Sequence, residues 1–560
     1  MANYPKKEQQ QDVLKLWVDV SAHSYWCAWQ SSAFIPILLL VFFLTTISCR
    51  KPTTSSQSPA SILLSNQTAI STQIAQGESH RYRIKTSPAQ YGRIQIKHTG
   101  LYLRVTLYDP KGQSLNSFTC RQPGQIPVSF LTEQGGEYRL EIQSLETTAY
   151  TGNYRLEVVE QREKKPSDSQ RLKADSALAR AENFQSDMVY SALPSALTKY
   201  QEAQSIWEEL GEKEEQAHAL IAQAEIQQQL GKRDEAKKLL EIASGLLGND
   251  QELAIEIQNR LLSITQDDEE RGRQLLANSR KIGFRRGQAL ALDNLAEMVY
   301  PTGNRQLFRD YYLQSLPIWR ELQERRKEAF ALYSLGVASA DLAEITQANE
   351  YYQRALQLWQ SMGDKSGEAA TLASMGHQQN LLGQKQQAME FYEQALQAAS
   401  ASDDKGRLYS INNGIAFFYF TVGQGEKALR YYQESLQIKQ EAQDQKGIAG
   451  ILYVIGDVHQ QLGHYDQAIR YFHDALAIIQ KKQIGVYLPY VVMGLGTSYG
   501  ALGKSSAAIP YLRQALELAE KNQDWRGAAN AHNELGAIYR KMKRFDLAQQ
   551  QHLPLPPALM

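Results

Sequence analysis

Apolar and polar residues alternate one for one in the first third of the chain. Leu101, Leu103, Val105 and Leu107 are separated by Tyr102, Arg104 and Thr106, and the alternation stops at Asp109-Pro110-Lys111-Gly112. A period of two places one set of side chains on a buried face, and Pro followed by Gly closes the strand in a turn. Ile94/Ile96, Val128/Phe130, Tyr138/Leu140/Ile142 and Tyr154/Leu156/Val158 repeat the pattern, punctuated by Gly135-Gly136 and Thr151-Gly152-Asn153. The spacing predicts about seven short strands over residues 66–162, an antiparallel β-sandwich. From Arg171 onward Gly and Pro thin out and the apolar period lengthens to that of a helix.

This second region repeats itself every 40 residues. A small residue recurs at Gly336, Gly376, Ala416, Gly456, Gly496 and Gly536. A turn residue follows seven positions later, at Ala343, Gly383, Gly423, Gly463, Gly503 and Lys543. Alanine stands twelve positions after the small residue, and Tyr352, Tyr392, Tyr432, Phe472 and Leu512 stand sixteen after it. The frame extends back through Ala296 and Ala224 to Phe184, with one degenerate unit near Leu261, so about ten units are expected. Small residues on both helices of a pair let antiparallel helices approach closely. The Gly seven positions on ends the first helix, where a left-handed residue is wanted. A unit of this kind cannot bury its apolar face alone, so neighbours must stack.

Pieces such as IGDVHQQLGHYDQAIRYFHDALAI (Ile455–Ile478) resemble the tetratricopeptide repeat (TPR) in a 40-residue form. The resemblance implies a mainly α fold, a right-handed superhelix (α-solenoid) of about ten helix pairs over residues 171–552. The segments GESHRYRI, LYLRVTLYDPKGQ and GEYRLEIQS resemble the bacterial pre-peptidase C-terminal (PPC-like) domain. A PPC-like sandwich followed by a TPR array resembles the front of bacterial TPR–CHAT proteins, whose caspase-like CHAT peptidase domain uses a His/Cys pair. No Cys lies beyond Cys120 and no His-Gly pair occurs, so that domain is expected to be missing here.

An apolar run, Ala33 to Ser48, precedes Cys49. At 1.5 Å per residue its length suits a signal-peptide apolar region better than a bilayer span. Thr46-Ile47-Ser48-Cys49 resembles a loose bacterial lipobox, which implies Cys49 as a lipid acceptor. A retained anchor and a mis-assigned start are the alternatives. Residues 1–49 are thus expected to be a signal or anchor that places the chain at a bacterial membrane or beyond it. Residues 50–65 and 163–170 read as linkers, and 553–560 as a disordered Pro-rich tail.

Lys+Arg and Asp+Glu are 60 each, which argues against a broadly basic nucleic-acid binder. Three cysteines exclude a disulfide scaffold and a four-cysteine zinc site. Gly503-Lys504-Ser505 lacks the Gly a phosphate loop needs five residues before Gly503, and Gly503 is already the repeat's turn residue. His459 occupies the place of Tyr419 and Tyr499 in the frame and is expected to pack. No cofactor or metal is expected, and no enzyme activity.

In TPR arrays the first helices line the groove, and the resemblance implies that residues three before, one after and four after the small anchor point into it. Here these include Tyr333, His377, Asn380, Asn413, Phe417, Phe420, Tyr453, Asp457, Gln460, Met493, Thr497, Asn533 and Arg540, and Tyr490, three residues before Met493, is taken with them. Aromatics with amides suit an extended peptide, the amides holding its backbone and the aromatics its apolar side chains. The expected function is a non-catalytic scaffold for protein or peptide partners; the alternative is a truncated regulatory front of a TPR–CHAT protease. The last unit is expected to lack a full second helix, leaving Leu535, Ile538 and Tyr539 short of cover.

Overall fold

The computed structural model describes residues 62–551, apart from Gln67, Gln122–Pro123, Thr148, Asp187–Met188, Asn249 and Asp267. Cys49, the apolar run before it, the 50–61 part of the linker and the 553–560 tail lie outside the described residues.

The first domain is a β-sandwich. Its strands are β1 (Ile62–Leu64), β2 (Ala69–Ala75), β3 (Ser79–Thr86), β4 (Gln90–His98), β5 (Leu103–Tyr108), β6 (Ser114–Cys120), β7 (Gly124–Leu131), β8 (Gly136–Ser144) and β9 (Thr151–Glu163). One sheet runs β1-β3-β8-β5-β6 and the other β2-β9-β4-β7. All pairings are antiparallel except the short β1 on β3. The alternating residues meet between the sheets: Ile94, Ile96, Leu103, Val105, Val128, Leu140, Ile142 and Leu156 form one buried core. The nine strands exceed the expected seven by two, and β1, β2 and β6 are the hardest to read. Their sequences, ILL, AISTQIA and SLNSFTC, carry too few alternating apolar residues to announce themselves.

Among the described residues twenty α-helices follow in ten pairs. The first five pairs are α1 (Asp168–Ser186) with α2 (Leu193–Leu210), α3 (Lys213–Gln229) with α4 (Arg233–Leu246), α5 (Gln251–Thr265) with α6 (Glu269–Lys281), α7 (Arg285–Val299) with α8 (Arg305–Glu321), and α9 (Arg325–Asp341) with α10 (Ile345–Met362). Next come α11 (Lys365–Leu381) with α12 (Lys385–Ser402), α13 (Lys405–Thr421) with α14 (Gly425–Glu441), and α15 (Gln445–Gln461) with α16 (Tyr465–Lys482). Last are α17 (Leu488–Ala501) with α18 (Ser505–Lys521), and α19 (Trp525–Lys541) with the short α20 (Phe545–Gln550).

The small anchor and the residue sixteen positions later meet face to face. A Cβ on Gly336 would come within 2.6 Å of the Tyr352 ring, and one on Gly456 within 2.7 Å of Phe472. A side chain at either anchor would therefore push the helix pair apart. The turn seven residues after the anchor is left-handed throughout, in Ala343 and Lys543 as in Gly383, Gly423, Gly463 and Gly503.

A second left-handed position recurs between one pair and the next, and the sequence frame missed it. Gly283, Gln323, Gly363, Asp403, Gln443, Gln483 and Gln523 hold it, 40 residues apart. Except after Gln483, where a short 3-10 turn intervenes, the following residue starts the next first helix. Asp404, Asp444 and Asp524 accept there from the backbone N–H of Arg407, Gly447 and Gly527, which satisfies one of the open donors of the helix start.

Three sequence expectations need correction. Phe184 is not the first anchor: it is 37% exposed, whereas Ala181 is fully buried against Ala196 and Tyr200. A longer turn between α1 and α2 shifts the frame by three residues. In the degenerate unit Asn259, buried and donating its side-chain amide to the Ile255 carbonyl at 3.0 Å, stands at the anchor in place of Leu261. In the last unit Leu535, Ile538 and Tyr539 are covered, since one turn of α20 with Ala548 suffices to join them to Ala508 and Leu512.

The described chain divides into two compact units. The front unit holds the sandwich and the repeats up to Thr371, with Ala401–Asp403; the back unit holds Leu372–Ser400 and Asp404 onward. Within the front unit the sandwich packs on α1, where Ala179 enters its core. It also reaches the turns of later repeats. Arg325, at the start of α9, pairs with Glu146 at 3.0 Å, and both side chains are buried. Its guanidinium lies 4.0 Å over the Tyr150 ring. Arg121 donates to the Met362 carbonyl at 2.8 Å, and Asn153 donates to the Gln323 side chain at 2.7 Å.

Candidate functional site

Residues three before, one after and four after an anchor fall at i, i+4 and i+7, one stripe along a helix. In the back unit this stripe runs over α11, α13, α15, α17 and α19. His377 is half-buried, its ring 6.4 Å from that of Phe417, and burial pushes its imidazole down to about 4. Asn413 and Phe417 are buried, so they support the surface more than they form it. Asn380 is buried too, and its side-chain carbonyl accepts from Lys385 Nζ at 2.6 Å.

The stripe is more open on α15 and α17. The Tyr453 and Tyr490 rings lie 6.2 Å apart, and Tyr453 rests on Phe472 from the partner helix. Phe420, Asp457, Gln460, Tyr490, Met493 and Thr497 are half-buried. The Gln460 side-chain oxygen accepts from the Ser498 hydroxyl at 3.2 Å. Asp457 accepts one hydrogen bond, from Gln461 Nε2 at 2.8 Å. Its surface is partly open, yet the surrounding protein solvates it poorly, and this desolvation pushes its carboxyl up to about 6. Asn533 and Arg540 stand exposed on α19. Tyr333 belongs to the front unit, half-buried on α9 with Phe330 and Tyr352 each 6.2 Å away.

The same stripe in the front unit has another chemistry, and the sequence reading did not follow it there. Arg260 bridges Glu225 at 3.1 Å and Glu256 at 3.0 Å. Arg286 bridges Glu256 and, at 2.7 Å, Glu324. Burial acts to raise the Glu256 carboxyl, but Arg286 and Arg260 outweigh it and hold it at about 2. Two other carboxyls have no such partner. Burial raises Glu182, which accepts from the Tyr200 hydroxyl at 2.6 Å, to about 7. It raises Asp293, which accepts from the Trp319 indole at 3.0 Å, to about 7 as well. Glu225 follows the anchor Ala224 by one and Asp293 precedes Ala296 by three, so extending the groove positions below Tyr333 would have found them.

Among the described residues no group of His, Cys, Asp and Glu could hold a metal ion. Gly503 is a left-handed turn residue between helices, not part of a phosphate cradle. His459 stacks on Tyr471 at 5.3 Å, as a packing residue does. Cys120 is fully buried in the sandwich, where burial raises its thiol well above the usual range, and His98 is buried and lowered to about 4. Neither is set up as a nucleophile or base.

Models of the tetratricopeptide repeat match residues 407–481, 371–402 and 491–522. A sequence comparison with curated proteins finds no match. Similar solved structures include the apo form of the quorum sensor NprR from B. thuringiensis, at 17% identity and TM-score 0.45, covering 62% of this chain and 97% of that one. A Rap protein complexed with competence and sporulation factor is similar at 14% identity and TM-score 0.41, covering 56% of this chain and 99% of that one. The array is a TPR-like helical repeat preceded by a β-sandwich.

Proposed function

We propose that the chain is a non-catalytic interaction scaffold that takes an extended peptide segment of a partner protein along the first-helix face of α11–α19. The observation that supports this is the stripe of Phe420, Gln460, Tyr490 and Met493, half-buried, aromatic and amide-bearing, with Tyr453 buried against Phe472 as its support. Such rigid amphipathic side chains contribute large contact area at small entropic cost on binding. Full-length protein panned against a displayed peptide library should enrich binders, and Tyr490→Ala with Met493→Ala should abolish their capture while the fold, followed by circular dichroism, is kept. Equal capture by both proteins would place the binding surface elsewhere.

The order of a sandwich before the repeats supports a second reading, in which the array regulates a caspase-like peptidase domain. Co-purification of such a peptidase with the full chain tests it. We also propose that Cys49 carries lipid and tethers the chain to a bacterial membrane. Labelling with a fatty-acid analogue should then be lost in Cys49→Ser, and an unlabelled wild-type chain would exclude it.

A further inference from the structure

On α13, α15 and α17 the back unit's stripe carries a single charged side chain, Asp457. α17 contains no Asp, Glu, Lys or Arg, and α13 carries Lys405 and Arg407 only in its first turn. Asp457 is the only carboxylate of α15, and it makes no ion pair among the described residues. In the front unit Glu225, also one residue after its anchor, is matched by Arg260, and Glu182 at the same position accepts from the Tyr200 hydroxyl. A carboxylate with one amide donor has lone pairs to spare, and in a poorly solvated place an uncompensated charge is costly.

Its neighbours suit a particular cation. Tyr453 stands one turn before Asp457 on α15, so the two side chains lie one above the other. Tyr490, 6.2 Å from the Tyr453 ring, continues the aromatic surface from α17, beside Met493. Rings next to a carboxylate fit a long side chain with an apolar stem and a cationic head: the rings cover the methylenes and the carboxylate meets the charge.

We propose that Asp457 selects a lysine or arginine side chain in the bound segment, with the half-buried Tyr490 packing along its stem and Tyr453 supporting Tyr490 from beneath the surface. This rests on the peptide-binding reading above and names the partner's chemistry: an otherwise apolar extended segment with one basic residue. The carboxylate accepts a charge-assisted hydrogen bond that nothing among the described residues supplies.

The test uses full-length protein and an array of nine-residue peptides randomised at every position, each made both N-acetylated and with a free amino terminus. The bound pool should be enriched in Lys or Arg at one position. Replacing that residue with norleucine in the best binder should weaken binding to wild type about tenfold, the worth of one charge-assisted contact. Asp457→Asn, which keeps the side chain's size, should weaken the basic peptide equally, and the norleucine peptide should then lose nothing further. Bound peptides without basic enrichment, or enrichment unchanged in Asp457→Asn, would overturn this inference and leave the peptide-binding reading standing. No bound peptide at all would overturn both. Binding only by peptides with a free amino terminus would assign the cation to that terminus and overturn the side-chain proposal.

Discussion

The first-helix faces of the two units are built on one 40-residue frame and have opposite electrostatic character. In the front unit Glu225, Glu256 and Arg260 stand on this face and pair with one another, while Arg286 from the next first helix holds Glu256 and Glu324. In the back unit the first helices α13, α15 and α17 present Phe420, Gln460, Tyr490 and Met493, with Asp457 as the single acid. A face whose charges already satisfy one another has little left to offer a partner. A neutral face with open aromatic rings does. Repeat position sets where a side chain points; its chemistry decides whether it braces the protein or waits for a ligand.

The contrast can be broken most severely at Arg325. Arg325→Met leaves Glu146 buried without its cation, and removal of one partner of a buried pair costs about 3–5 kcal/mol. Chemical denaturation followed by hydrogen exchange should show that loss in residues 62–371, with exchange in 404–551 unchanged. An equal loss in both would mean that the units do not unfold separately.

A smaller effect is expected in the back unit at Gly456. Gly456→Leu forces a side chain into the Phe472 ring and should cost about 1–3 kcal/mol in a urea titration, confined to residues 404–551. A cost below about 0.5 kcal/mol would remove the close approach from the account of the repeat.

The smallest effect sharpens the front unit's side of the comparison through pH. The folded-state value of Asp293, about 7, lies above the ordinary 3.8, so the folded protein holds a proton that the unfolded chain releases. Stability contributed by the neutral acid is therefore present below the unfolded value and declines as pH rises, until it levels off above about 7. Asp293→Asn keeps an acceptor for Trp319 and removes the titration. It should raise the stability of the front unit at pH 8 by about 1–2 kcal/mol relative to its effect at pH 4. A pH-independent difference would show that Asp293 is not neutral in the folded protein.

Much of the fold was legible because a repeat writes the same constraint many times. Gly456 alone is one glycine; Gly336, Gly376, Gly456, Gly496 and Gly536 in register are a helix contact. The features that escaped have no such redundancy. Gln443 and Gln523 adopt a left-handed turn that their residue type does not advertise, and only the neighbouring Gly283 and Gly363 of the same phase hint at it. A three-residue lengthening of one turn moved the first anchor from Phe184 to Ala181, which a strict period cannot follow. Glu256 and Arg260 look like ordinary solvated helix charges until the next helix brings Arg286 alongside. Of the candidate groove, the stripe was readable, but not that Asn380 is already taken by Lys385 or that Asn413 and Phe417 lie inside.

The ion pair between Glu146 and Arg325 joins residues 179 positions apart, and it changes the statistics of unfolding. An open row of repeats behaves as a one-dimensional chain, in which each unit answers only to its neighbours and the ends melt first. Here the sandwich holds α1 at one side and the start of α9 and the end of α10 at the other, so the front repeats form a closed loop. Fraying of any one repeat must then release that long-range contact or stretch the loop, and the front repeats gain the all-or-none behaviour of a globular domain.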